Sequence, residues 1–333
     1  MKHLVRPRLV LPLLLAALVT APLWVNPYVR FVLTLVFVYA ILALGLNLLL
    51  GYAGQFAFAN AALFGWGAYT TALLQLKAGL PYPLALLGAA LVTAGVGALV
   101  GVPALRLHGL YLAIVTLAFG EVTYWAMVHW GSLTGGASGI KAPGPSLPAL
   151  GLGSEQTVYY LALIAAVLLF ASAWGIVHSR IGRAFVAVRD GEIAAQALAV
   201  NLTTTKTLAF VVSAFYAGIA GGLHSAALRY VAPESFDLFE VVLQFCMVVV
   251  GGLGSVIGSA LGAALVVALR ESLRAAVGTQ EILFGALLIV CIVFMPRGLV
   301  SLLRWPGSPW LERLHRRGRR SAGDEMASWQ PSR

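Results

Sequence analysis

The chain has 333 residues, of which 60% are hydrophobic and only 10% are charged. A soluble domain carries about 25% charged residues, so this composition excludes an ordinary water-soluble protein and favours lipid as the solvent. The net charge is +10, from 22 Lys and Arg against 12 Asp and Glu. Because the basic residues lie beside apolar segments, we interpret them as signals of membrane topology and not of nucleic-acid binding.

The N-terminal region begins with the basic residues Lys2, Arg6 and Arg8, followed by an apolar run over 9–25. This run is longer than the ~7–15 residues of a usual signal-peptide core. We therefore favour an uncleaved first membrane helix over a cleaved leader.

Apolar segments long enough to cross a bilayer recur along the chain. A spanning helix needs ~20 mainly apolar residues, and helices are expected because lipid offers no other partner to backbone polar groups. The predicted segments are 9–25, 31–50, 58–76, 83–101, 110–130, 157–177, 207–228, 240–269 and 281–295.

The stretch 240–269 differs from the others in its length and in its central glycines, Gly251, Gly252 and Gly254. A helix rises about 1.5 Å per residue, so the stretch is too long for one untilted crossing. We predict two short elements that are broken at these glycines. Their expected bounds are about 240–253 and 255–270.

The fold class is therefore predicted to be all-α, a polytopic transmembrane helix bundle of about ten membrane elements including the glycine-broken pair. Basic residues concentrate at Arg106, in the 178–206 segment and in the tail after Met295, and such connections usually face the cytoplasm. With both termini also cytoplasmic, loop 131–156 should lie outside.

Polar residues within the apolar segments are candidates for a translocation path. Glu121 lies near the middle of the fifth segment, where a carboxylate costs about 2.5–3.5 kcal/mol on insertion scales. It should face the bundle interior, a cavity or a partner, so path lining and structural pairing both stay open. The other candidates are Asn47, Gln55, Asn60 and Thr116; for the amides, as for Gln244, a helix–helix hydrogen bond is the alternative.

No catalytic motif stands out in the sequence. It contains neither a G-x-x-x-x-G-K-[ST] phosphate loop nor an H-E-x-x-H motif, and its cysteines and histidines are scattered. We interpret Cys246 and Cys291 as packing residues, expect no cofactor or metal, and predict that the chain is not an enzyme.

The 178–206 segment is the most polar interruption of the hydrophobic pattern. Between Ala184 and Ala199 its residues are compatible with an amphipathic helix. On the cytoplasmic side such a helix could dock a partner, or it could lie on the membrane interface. We assign 1–303 to a transmembrane domain that includes this loop, and 304–333 to a basic, disordered cytoplasmic tail.

Several motifs together resemble those of one family, the permease subunits of branched-chain amino acid ABC importers, of LivM type. The similarity extends over about 40–303, and each motif alone would be weak. The motifs are Gly45–Gln55, Ala61–Tyr69, Gly109–Glu121, Leu133–Ile140, Ser179–Arg183 with Arg189 and Glu192–Ala195, Gly251–Ser255 and Pro296–Leu299.

The resemblance implies a division of labour among subunits. Such permeases form the path with a second, LivH-type permease, two cytoplasmic ATPase subunits dock on the cytoplasmic loops, and a periplasmic or lipid-anchored protein delivers the amino acid. Glu192 to Val200 would form the cytoplasmic coupling helix that contacts the ATPase. The whole complex would reside in the bacterial inner membrane. The coupling-loop residues that the motif carries over are Arg180, Gly182, Arg183, Arg189, Glu192, Ala194 and Ala195.

The sequence departs from the family pattern at three positions. Asn60 stands where the family often has His, Ala59 replaces the preceding Gly, and Ala199 stands where many importers place Gly.

Two alternative functions stay open. One is an ABC permease for another small solute, such as urea, an amide or a sugar. The other is a stand-alone ion-coupled transporter in which Glu121 binds a proton or a cation.

Overall fold

A computed structural model describes residues 16–22, 24–104, 107, 109–145, 153–273, 283–286 and 298–299. Within these ranges the chain is a bundle of α-helices, which confirms the predicted all-α fold class. The main helices are α1 (Pro27–Asn47), α2 (Asn60–Ala78), α3 (Tyr82–Ala104), α4 (Leu110–His129), α5 (Ser154–His178), α6 (Arg180–Asp190), α7 (Glu192–Ala197), α8 (Leu202–Leu228), α9 (Leu238–Gly251) and α10 (Val256–Ser272).

Five helical stretches of the described chain are long and apolar enough to cross a membrane. They are Pro27–Tyr52, Tyr82–Val102, Leu110–His129, Ser154–His178 and Leu202–Leu228. The α2, α9 and α10 helices are also apolar and lie within the same bundle, but α9 and α10 are short. The number of crossings therefore stays a prediction.

The core lies around α1 and α8. About three quarters of the most apolar part of each is buried, 78% for α1 and 72% for α8, against 28% for both α4 and α5. Small residues allow the central helices to approach closely, as between Gly67 of α2 and Gly218 of α8. The outer helices α4 and α5 therefore have many exposed apolar side chains, such as Val122 of α4 and Leu168 of α5.

The bundle has two distinct ends. At one end the strands β1 (Ile140–Lys141) and β2 (Tyr230–Val231) pair antiparallel; we call it the strand end. At the opposite end α6, the end of α1 and the α9–α10 junction meet; we call it the loop end. The described residues of loop 131–156 and the 178–206 segment thus lie at opposite ends of the bundle.

Two interruptions break the helical pattern. After Asn47, α1 continues as a π-helix over Leu48–Tyr52, and residues 54–58 then have no regular structure. The chain also leaves helix after Gly251, where Gly252 (φ 118°) and Gly254 (φ 71°) adopt positive φ angles that side-chain-bearing residues avoid. The break thus lies where the central glycines predict it.

Several predictions concern residues outside the described ranges. This group contains residues 9–15 and 23 of the first segment, most of the segment 281–295, the basic residue Arg106 and the tail 304–333. Cys291 lies there too, whereas Cys246 is buried in the core.

Candidate translocation path and loop end

The Glu121 side chain lies on the outer surface of the single chain, not in its interior. It stands near the middle of α4 and lines an open depression of about 560 Å³ with aromatic neighbours that include Trp125. Within the described ranges, no hydrogen bond or ion pair holds its carboxylate. The sequence left open whether Glu121 lines the path or pairs structurally. Structural pairing is not observed within the described part of this chain.

An irregular segment, residues 54–58, passes beside α4. The Phe58 amide donates a hydrogen bond to Thr116 Oγ1 (2.9 Å), and the Phe58 ring stacks on Phe245 of α9 at 4.8 Å between centroids. Phe58 and Glu121 line the same small crevice. Thr116 is thus a buried anchor for this segment, and Glu121 lies at the surface beside it.

Gln55 lies within this segment and Asn60 lies just after it, and both are buried. The Gln55 side chain donates to the Ala53 carbonyl (3.2 Å). Asn60 Nδ2 donates to Gln244 Oε1 (2.8 Å), and Asn60 Oδ1 accepts from Ser213 at 3.4 Å. The alternative of a helix–helix hydrogen bond therefore describes Asn60 and Gln244 in this structure.

The amide pair belongs to a longer buried polar network that the sequence did not indicate. Gln244 Nε2 donates to Glu240 Oε1 (3.3 Å). Glu240 Oε2 also lies 3.5 Å from Arg270 Nη1, which donates to the Tyr39 hydroxyl at 2.8 Å. Glu240 and Arg270 lie near opposite ends of the predicted stretch 240–269, and no sequence pattern indicates that they are partners.

Asn47 is completely buried and holds the α9–α10 junction. Its Nδ2 lies within hydrogen-bonding distance of Ser255 O (2.9 Å), Ser259 Oγ (2.8 Å) and Gly252 O (3.5 Å). Its Oδ1 accepts from the Gly254 amide at 2.9 Å. These contacts occupy both ends of the amide, so Asn47 is a structural clamp in this conformation.

The 178–206 segment forms two helices, and not the single amphipathic helix expected between Ala184 and Ala199. The chain turns at Gly191, the residue with the weakest helix propensity after proline, and α7 begins at Glu192. Ser179 caps α6 by accepting a hydrogen bond from the Ile181 amide.

Among the coupling-loop residues of α6, only some face the bundle. Gly182 is buried against the end of α5, whereas Arg180 and Arg183 are exposed. Arg189 donates from Nη1 to the Gly51 carbonyl at 2.9 Å and pairs with Asp190 at 3.0 Å.

Glu192 anchors α7 to the bundle through an ion pair. Its Oε1 lies 2.6 Å from Nζ of Lys206, whose side chain is only 2% exposed. A buried ammonium needs such a partner. In the sequence, Lys206 is only one of the basic residues of the 178–206 segment, and nothing there shows that the start of α8 is buried.

The exposed side of α7 is unusually apolar. Ile193 is 86% and Leu198 is 76% exposed, whereas Ala195 packs inward and Ala194 is exposed. Ala199 adopts φ 59°, the left-handed conformation that glycine accepts most readily. This conformation explains why the sequence position suits glycine.

Comparisons with known proteins agree with this architecture. The family model described as branched-chain amino acid transport system / permease component matches residues 28–295. No solved structure matches the chain.

Named relatives match most of the chain. It is 34% identical over 341 residues to the high-affinity branched-chain amino acid transport system permease protein LivM of Salmonella typhimurium, with 91% of this chain and 80% of the relative covered. The Escherichia coli protein of the same name is 35% identical over 324 residues, with coverages of 90% and 76%.

A more distant relative is the probable branched-chain amino acid transport permease protein LivM of Methanocaldococcus jannaschii. It is 23% identical over 232 residues, which cover 65% of this chain and 67% of the relative. The matched proteins are transport permeases and not enzymes. The chain therefore belongs to the branched-chain amino acid transport permease family, LivM type, and is a multi-pass membrane protein.

Proposed function

We propose that this chain is one of two permease subunits of an ATP-driven importer for leucine, isoleucine and valine, and that it lines the translocation path with its α4 surface. The second permease is LivH-type, two ATPase subunits act from the cytoplasm, and a periplasmic or lipid-anchored protein delivers the substrate. The complex resides in the bacterial inner membrane, with both termini of this chain cytoplasmic.

The exposed Glu121 is the observation that carries the path assignment. A carboxylate that faces lipid near the middle of a helix is strongly disfavoured, and within the described ranges nothing pairs with it. A water-filled path shared with the second permease removes this cost because it keeps the carboxylate hydrated. The irregular segment 54–58 supports the same surface, since non-helical backbone at membrane depth is tolerated where it is buried or lines a cavity.

Exposed apolar residues at the loop end support the proposal that the ATPase subunits dock there. Ile193 and Leu198 are almost fully exposed, yet they lie beyond the long apolar helices, next to the charged residues Arg189 and Glu192. Apolar side chains in this setting are typical of a protein interface. Movement of docked ATPase subunits would then change the relative populations of inward-open and outward-open states.

The function is tested by reconstituting the chain with its co-purified permease and ATPase subunits and with the binding protein in liposomes. We expect ATP-dependent uptake of leucine, isoleucine and valine, and no uptake of urea or a sugar. ATP-dependent uptake of urea or a sugar alone would identify the alternative ABC permease. Uptake by the chain without ATPase subunits, driven by an ion gradient, would identify the ion-coupled carrier.

A further inference from the structure

Arg189 lies where three parts of the loop end meet. It stands in the last turn of α6, and its Nη1 donates to the carbonyl of Gly51 in the π-helix that follows α1. Asp190 holds the other edge of the guanidinium through Nε and Nη2. The guanidinium is therefore fixed in one orientation towards the end of α1.

Three glycines allow close packing around this contact. A Cβ added to Gly54 would lie 2.7 Å from Cγ of Arg189, and one added to Gly254 would lie 3.6 Å from its Nη1. A Cβ added to Gly51 would collide with the side chain of Asn47 and the amide of Gly254. The end of α1 is thus in close contact with both α6 and the α9–α10 junction.

The contact continues into the junction through Asn47. This side chain, one turn before Gly51, binds the backbone within the break, at Gly254 and Ser255. A continuous series of short contacts therefore connects α6 to the π-helix after α1 and to the α9–α10 junction.

We infer that Arg189 is a positioning residue that transmits movement of the 178–206 segment to the α1 π-helix and the α9–α10 junction. The inference rests on the proposed function, because it assigns the route by which a docked ATPase acts on the path. In this role Arg189 acts through the Gly51 carbonyl and the groups around it. Its role differs from that of Ile193 and Leu198, which provide the docking surface.

The experiment uses the whole transporter in liposomes and compares Arg189→Gln with Lys141→Gln. Lys141 is exposed on β1 at the opposite end of the bundle, and its side chain has no hydrogen bond or ion pair among the described residues. For each variant, the amount of assembled complex, the ATPase rate and the amino acid imported per ATP hydrolysed are measured. Arg189→Lys serves as the conservative variant, since its ammonium can still donate to the Gly51 carbonyl.

A second measurement reports the junction directly. Leu253 is exposed within the junction; it is replaced by cysteine in a chain whose Cys246 and Cys291 are alanines, and its labelling rate is compared before and after trapping with ATP and vanadate. We expect trapping to change the labelling rate in the parent chain and in Lys141→Gln, and to leave it unchanged in Arg189→Gln.

The expected result for Arg189→Gln is normal assembly, an ATPase rate within twofold of the parent, and at least tenfold less import per ATP, with partial recovery in Arg189→Lys. Unchanged import per ATP would overturn the inference while the proposed function stands. A parallel fall in assembly, ATPase rate and import would also overturn it, because it would indicate a purely structural role. Absence of ATP-driven uptake by the parent transporter would overturn both proposals.

Discussion

Asn47 on α1 and Glu121 on α4 are both polar side chains within apolar helices, but their surroundings differ in kind. Asn47 is completely buried, and its amide has four hydrogen-bond partners on the α9–α10 junction. Glu121 is exposed, with no such partner among the described residues. The comparison separates two uses of polarity in a membrane protein, which are to fix a backbone break and to provide a hydrated surface.

Replacing Asn47 should have the largest effect on folding. Asn47→Ala leaves the Gly254 amide and the Ser255 carbonyl without their partner, and we expect a loss of about 2–4 kcal/mol in stability. Thermal unfolding of the detergent-solubilised complex measures this loss. Thr20→Ala is the matched control, because its side chain binds only the backbone of its own helical turn. A melting temperature equal to that of the control would contradict the clamp.

Reversing the charge of Glu192 should have the next largest effect. Glu192→Lys places two ammonium groups together where Lys206 is buried; because Glu192 is partly exposed, we expect about 2 kcal/mol of destabilisation, below the usual cost of breaking a buried pair. Transport and ATPase stimulation should be lost while the chain still inserts. Adding Lys206→Met should recover much of the stability. Unchanged uptake by Glu192→Lys would contradict the assigned role of α7.

Neutralising Glu121 should affect transport and not stability, in contrast to replacing Asn47. Glu121→Gln should leave the melting temperature unchanged, because no described partner is lost, but it should lower uptake at least tenfold. This factor corresponds to about 1.4 kcal/mol. Glu155→Gln, an exposed carboxylate at the start of α5, is the control. A lower melting temperature with normal uptake would indicate that Glu121 has a structural role.

The docking surface should respond without any change in folding. Ile193 and Leu198 are already exposed, so replacing both with serine uncovers no core residue. We expect several-fold less ATPase subunit to co-purify and a proportional loss of uptake. Ile164→Ser on α5, also an exposed apolar side chain, is the control. Full co-purification of the double variant would place the docking surface elsewhere.

The smallest effect is expected at Ala199. Its left-handed backbone conformation costs about 1–2 kcal/mol for residues other than glycine, partly offset by the greater freedom of glycine in the unfolded chain. Ala199→Gly should therefore raise the stability by less than about 1 kcal/mol, with uptake unchanged. Denaturation with a graded detergent series measures it. A clear loss of stability would contradict the inference that the backbone of Ala199 is strained.

The sequence predicted the features that depend on local composition. Apolar runs located the long helices, and Gly251, Gly252 and Gly254 indicated the break that the structure has between Gly251 and Val256. The amphipathic pattern of the 178–206 segment was less informative. It did not show that the chain turns at Gly191.

The polar contacts within the bundle depend on residues far apart in the chain, and they could not be predicted from sequence patterns. Arg270 and Tyr39 are 231 positions apart. Asn47 and Glu121 look alike in the sequence, as polar residues in apolar segments. Only the packing of the helices determines which of them is enclosed.

The most direct test of the central claim is the accessibility of position 121 in the assembled transporter. Glu121→Cys, in a chain whose Cys246 and Cys291 are alanines, is treated with a small water-soluble thiol reagent in the presence and absence of leucine. We expect labelling that leucine with its binding protein slows, and no labelling of Leu168→Cys on the exposed apolar side of α5. Equal resistance of both positions to the reagent would contradict the account, because it would place Glu121 outside any hydrated path.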